Sequence, residues 1–225
     1  MLNLTLATYA QGKQALLFSD VISDNLENYV QSCQQAVRDK DYEQLPLLFN
    51  TLVQDHLKGT KLDELRMELL DGGVMDFSKL ERPVLLTTTA SWYIKNDEEI
   101  EAINTLASEF AGKIDVVVLF WDSKRTVKVL SKKYHDKVKI VYVDESLNIN
   151  NEIINTYKHA LGIPATFYIS SERKIVDINR GGLVKFNTER QEELYAANYH
   201  TFHKHIVKLL LKEQLLDNTI LTDTD

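Results

Sequence analysis

The apolar run over residues 114–121 constrains this chain more than any other stretch. Val116, Val117, Val118, Leu119, Phe120 and Trp121 follow one another without a polar break. Alternation would mark a strand with one wet face; a continuous run of β-branched and aromatic residues marks one covered on both. Such a strand needs helices above and below it. The flanking sequence supplies them. Strands are predicted at 84–89, 138–143, 165–170 and 174–179, the last two forming a hairpin around Ser171-Glu172-Arg173. Residues 65–70 and 74–77 read as another hairpin, turned by Asp71-Gly72-Gly73. Helices are predicted at 97–111, 123–133, 150–161 and 188–216, the last striped by Tyr195, Tyr199, Phe202, Ile206 and Leu209/Leu210. Alternating β and α elements define an α/β class, a mixed sheet sandwiched by helices.

Residues 24–58 precede this pattern as two helices. Leu26, Tyr29/Val30, Cys33 and Ala36/Val37 give the first an apolar face, and Asp24 with Glu27 resembles a capping box at its start. The second carries Leu45, Leu48/Phe49, Leu52/Val53 and His56/Leu57, takes Pro46 in its first turn, and stops at Lys58-Gly59. The expected organisation is an N-terminal helical region over 1–61, a sheet-containing domain over 62–216 and a polar tail over 217–225.

The net charge of -7 is spread over the chain, and none of 1–61, 62–186 or 187–225 is basic overall, so a nucleic-acid footprint is not expected. Lys124, Arg125, Lys128, Lys132, Lys133, Lys137 and Lys139 form a local basic face that Asp122 and Asp136 interrupt, as on a solvated helix. No apolar run reaches membrane-spanning length, and no basic stretch precedes an apolar core near Met1; the expectation is a cytoplasmic protein with no membrane partner. One cysteine, Cys33, excludes an internal disulfide framework and a four-cysteine zinc site. His200 and His203 are spaced to share a metal, but Lys204 follows and no acid lies within a turn, so no metal and no cofactor is expected. Neither a phosphate-cradling glycine loop nor a Gly-x-Ser-x-Gly turn occurs.

Four local features, in order, resemble the thioredoxin-like redoxins of the TlpA and ResA type over roughly 62–215. Leu85-Leu86 followed by Ala90-Ser91-Trp92 is similar to the central strand and the tryptophan before the redox motif. Glu99 matches an acid found after that motif. Gly162-Ile163-Pro164-Ala165-Thr166-Phe167 resembles the loop bearing the family's cis-proline, and Lys174-Ile175-Val176 with Gly181-Gly182 resembles the last strand and its glycine. The resemblance implies a redox site at Trp92, Tyr93, Ile94, Lys95 and Asn96, where Tyr93 and Asn96 stand at the two cysteine positions. Disulfide exchange needs a thiolate, and a dithiol mechanism needs a second thiol to release the mixed disulfide. A phenol and an amide supply neither. Asn96 reads better as a helix N-cap, with acids at Asp97, Glu98 and Glu99 favoured by the helix dipole.

No catalytic residue is expected at that site. What the resemblance leaves is recognition: main-chain hydrogen bonds from Ile163, beside Pro164 and Ala165, to an extended peptide, with Trp92 and Tyr93 as an aromatic platform. The plainer alternative is that Trp92 packs on the sheet edge and Pro164 shapes a turn. The expected function is a redox-inactive protein- or peptide-binding or assembly module. A rival reading makes Cys33 the thiol of a one-cysteine oxidoreductase or peroxidase; a small core residue is the simpler assignment on an apolar helix face.

Overall fold

Residues Asp115–Phe120 (β4) occupy the centre of a seven-stranded sheet, three strands to either side. The computed structural model describes residues 15–93, 97–147, 151–180 and 190–222, with the side chains of 151–152 and 216–222 outside that description. Ile94, Lys95 and Asn96, the N-cap reading at Asn96, and Gly181-Gly182 lie outside the described residues. The remaining strands are β1 (Arg66–Leu69), β2 (Val74–Asp76), β3 (Val84–Thr89), β5 (Val138–Tyr142), β6 (Ala165–Ile169) and β7 (Ile175–Arg180). Their spatial order is β2-β1-β5-β4-β3-β6-β7. β3, β4 and β5 run parallel, and the outer pairs are antiparallel. The helices are α1 (Phe18–Arg38), α2 (Gln44–Thr51), α3 (Asp97–Glu109), α4 (Lys124–Leu130), α5 (Asn151–Ile154) and α6 (Gln191–Thr222). α2 continues into a π-helical turn over Leu52–Leu57, and α5 into another over Asn155–His159.

Side chains alternate across the sheet with the two-residue period of a strand. Leu86, Val117, Leu119, Phe167 and Ile169 point to one face, where α1, α2 and the π-helical turn after α2 pack with Phe18, Ile22, Phe49 and Leu52. Leu85, Val116, Val118 and Tyr168 point to the other, under α3 and α6 with Ile103, Leu106, Phe202 and Ile206. Each such side chain taken fully from water stabilises the fold by about 1.5–3 kcal/mol. The β1–β2 hairpin turns through Gly72 and Gly73, both at positive φ (105° and 85°), a backbone only glycine adopts without strain.

The N-terminal helices cover part of the first core layer. Phe18 stacks on Tyr157 (5.0 Å between centroids) and meets Phe167 edge-on at 5.8 Å. The expected start of the first helix near Asp24 is corrected: α1 begins at Phe18, and Asp24 lies inside it, so Asp24 and Glu27 form no capping box. The reason is tertiary. Phe18 N donates to Lys61 O (2.8 Å), and Ser19 N donates to Asp63 Oδ2 (3.2 Å). A carboxylate 44 positions downstream caps the helix. The apolar stripe is also narrower than the spacing suggests. Tyr29 and Ala36 are buried and Leu26 and Cys33 partly so, whereas Val30 and Val37 are exposed. Pro46 does fall in the first turn of α2.

Candidate functional site

β3 and β6 are antiparallel, so the end of β3 and the start of β6 share one end of the sheet. Thr88 fixes the junction: its Oγ1 accepts from Ala165 N at 2.9 Å and donates to Ala165 O at 3.2 Å. Just before Ala165, the Ile163–Pro164 peptide is cis. The loop after β3 is tied to the next parallel strand, because Ser91 N donates to Asp122 Oδ2 at 2.8 Å, just beyond β4. Ala90 is buried, Trp92 is 64% exposed, and Tyr93 N donates to Ala90 O (3.0 Å) in a tight turn. Glu99 is buried in the first turn of α3.

Tyr93 lines a cavity of about 310 Å³ on the α3–α4 side, with Ala90, Ile100, Phe120, Leu130 and Tyr134. Lys133 closes its rim and holds Asp97 of α3 at 2.6 Å. Ile163 and Pro164 are not among its walls. Ile163 is half-buried against the other core layer, and its backbone N–H and C=O have no hydrogen-bond partner among the described residues.

On the Pro164 side lies an arrangement the sequence reading missed. Arg180, opposite Ala165 in the β6–β7 ladder, donates to Tyr29 Oη at 2.8 Å and lies over the Phe49 ring at 5.4 Å. A Cβ on Gly162 would come within 3.0 Å of the Arg180 guanidinium. Helices α1 and α2 therefore reach the loop before β6 through one arginine. Burial first, partly offset by the Arg180 charge, raises the Tyr29 phenol. Cys33, one turn beyond Tyr29, is partly exposed and free. No local motif marks Arg180, since its partners are 151 positions away in Tyr29 and on a different element in Gly162.

A second polar cluster sits over β7. Asp177, buried, receives Lys208 Nζ at 2.8 Å, Gln54 Nε2 at 3.2 Å and lies 3.3 Å from His205 Nδ1. Burial alone would raise its carboxyl, but contacts to His205 and Lys208 outweigh burial and hold it well below the usual carboxylate range. His205 stacks on Tyr168 at 4.8 Å, and burial raises the Tyr168 phenol far above its ordinary value. His203 lies 3.8 Å from Glu109 of α3, an acid that helical spacing along α6 could not reveal. Among the described residues no group of three or more histidine, cysteine, aspartate or glutamate side chains is placed to hold a metal ion.

Two parallel crossovers, β3–α3–β4 and β4–α4–β5, followed by the antiparallel β6–β7 pair and a closing helix, make this a thioredoxin-like fold. No family model matches the chain, and no curated protein matches it. Among solved structures the chain is similar to thiol-disulfide oxidoreductases. One is the thioredoxin domain of such an enzyme from Bacteroides vulgatus: 15% identity, 66% of this chain and 96% of that one, TM-score 0.47. Another, from Bacteroides fragilis, shows 18% identity over 55% of this chain and 92% of that one, TM-score 0.46. A secreted disulfide oxidoreductase of Mycobacterium tuberculosis shows 14% identity over 60% of this chain and 94% of that one, TM-score 0.45. What defines the fold is the chain's own strand order and connections. With one cysteine, the chain contains no Cys-x-x-Cys. No helix among the described residues is long and apolar enough to cross a membrane.

Proposed function

We propose that this protein is a redox-inactive thioredoxin-like module that recognises an extended protein segment at the end of the sheet where β3 stops and β6 begins. One observation carries the reading. The Thr88–Ala165 pair holds the loop of Trp92 and Tyr93 and the Ile163–Pro164 loop at the same end of the sheet, and no sulfur lies in either. The chemistry that remains is the main chain of Ile163, able to pair with a strand, and the exposed indole of Trp92. Aromatic side chains of this kind supply large contact area at low entropic cost. A cytoplasmic setting belongs to the same proposal, since a fold with a lone thiol draws nothing from an oxidising compartment.

Insulin reduction by dithiothreitol tests the negative half: the protein is expected to leave the rate at background, and catalysis abolished by Cys33→Ala would favour the one-cysteine oxidoreductase instead. The positive half is tested by capturing partners with wild-type protein and with Trp92→Ala and Ile163→Pro variants. Partners retained equally by all three remove the recognition site.

A further inference from the structure

At the opposite end of β7 from Arg180, a groove of about 480 Å³ opens between α6 and the start of that strand. Its floor and walls are apolar: Val176 is buried at the base, Val207 lies above it, and Leu211 is 56% exposed at the lip. Its rim is cationic. Lys58, Lys204, Lys208 and Lys212 surround the opening, and among the described residues no acidic side chain lines it. This concentration of one sign occurs in a chain whose net charge is -7.

Of the nearby carboxylates, two are paired to lysines and one, Glu213, is hydrogen-bonded to a serine and keeps its charge. Asp177 takes Lys208, Glu172 takes Lys174 at 2.7 Å, and Glu213 accepts from Ser171 N at 3.1 Å. Lys204 and Lys212 have no ion pair among the described residues. Burial, then the neighbouring Lys174 and Lys58 charges, lowers the Lys212 pKa, and the Glu172 and Glu213 carboxylates offset this only in part. The face thus combines exposed apolar surface with a local excess of positive over negative charge.

We propose that this groove docks an acidic amphipathic peptide segment, with apolar side chains entering over Val176 and Val207 and flanking Asp or Glu meeting Lys204 and Lys212. Charge complementarity selects the sign of the occupant, and the recessed floor selects its shape. A flat anionic lipid surface reaches the rim lysines but presents no discrete apolar side chain to seat between Val207 and Leu211. Helical spacing of apolar residues at i, i+3 or i+4 suits a slot running along α6. This surface is independent of the one at Ile163, so either can fail without the other.

The test uses the full chain and a fluorescein-labelled synthetic helix of leucine at i, i+3, i+4 and i+7 with glutamate beside each leucine, read by anisotropy. A counterpart with glutamine in place of glutamate, and phosphatidylglycerol vesicles, form the other arms. The glutamate peptide is expected to bind saturably and more weakly as salt rises. Leu211→Asp, or Lys204→Glu with Lys212→Glu, is expected to weaken it by about tenfold or more, equivalent to about 1.4 kcal/mol. Lys204 and Leu211 are exposed and Lys212 is partly so, and unfolding midpoints equal to wild type confirm that the variants fold. Equal binding of the two peptides, binding unaffected by these variants, or binding to vesicles alone overturns the proposal. So does a dimer in sedimentation that Leu211→Asp dissolves while no peptide binds.

Discussion

Thr88 and Ala165 exchange two hydrogen bonds across 77 positions, Ala165 N to Thr88 Oγ1 at 2.9 Å and Thr88 Oγ1 to Ala165 O at 3.2 Å. Both residues are buried, so this hydroxyl does work that ladder pairing alone leaves undone at the mouth of β6. Thr88→Val keeps the shape and deletes both bonds, leaving a buried N–H and C=O short of partners. The expected loss is about 1–3 kcal/mol in denaturant unfolding, with Thr88→Ser recovering most of it. A Thr88→Val protein as stable as wild type would show the pair to be incidental.

Asp63 gathers three donors: Ser19 N, Ser19 Oγ and the Tyr157 hydroxyl. Burial, then the Asp63 charge and hydrogen bond, raises the Tyr157 phenol well above its ordinary value. Asp63→Ala removes a helix cap and orphans a buried hydroxyl together. It is expected to cost about 2–4 kcal/mol, the cap and the hydroxyl each contributing about 1–2. Tyr157→Phe, which leaves the cap intact, is expected to cost distinctly less. Equal losses in the two variants would refute the division of roles.

The Asp177 carboxyl sits below its unfolded value, so its contribution to stability is complete above the unfolded pKa near 4 and is lost as pH falls through the depressed folded value. Asp177→Asn is therefore expected to destabilise the protein at pH 7 by roughly 2–3 kcal/mol, with the gap to wild type closing on acidification below about pH 4. Urea unfolding across that range measures it. A gap constant with pH would assign the loss to packing alone.

Tyr142 donates its hydroxyl to Glu68 of β1, and that bond, with burial and the carboxylate charge, pushes the phenol up to about 12. A raised folded pKa means that this contribution is intact below the unfolded value near 10 and fades as pH climbs towards the folded one. Glu68→Gln is expected to bring the Tyr142 ionisation down towards the ordinary phenol value, seen as an earlier rise in ultraviolet absorbance on alkaline titration. An unchanged curve would separate the two side chains.

The sheet was legible because its strands obey local rules. The run at 114–121 and the β-rich segments at 84–89, 138–143 and 165–170 each carry a period or a continuous apolar face, and each forms a strand within a residue or so of its expected ends. Pro46 and Gly72-Gly73 likewise act through their own backbones. What stayed hidden depends on partners far away in the chain. The start of α1 rests on Asp63, and a plausible local cap at Asp24 pointed to the wrong turn. Arg180 looks like an ordinary strand-end arginine until Tyr29, Phe49 and Gly162 surround it. The lysines around Val176 come from the end of the π-helical turn and from α6, so no segment of sequence shows them as a ring. Trp92 and Tyr93 stand out as a motif, but their adjacency in sequence conceals the cavity that Tyr93 lines together with Ile100 of α3 and Leu130 of α4.

The distant capping of α1 also sets an order of events on the ribosome. Phe18 and Ser19 leave the exit tunnel long before Asp63, and longer still before Tyr157, which supplies the ring that Phe18 stacks against. α1 is therefore made early and secured late, and a nascent chain stopped at residue 62 carries it with α2 alongside but without the Asp63 cap or the rings that close over Phe18.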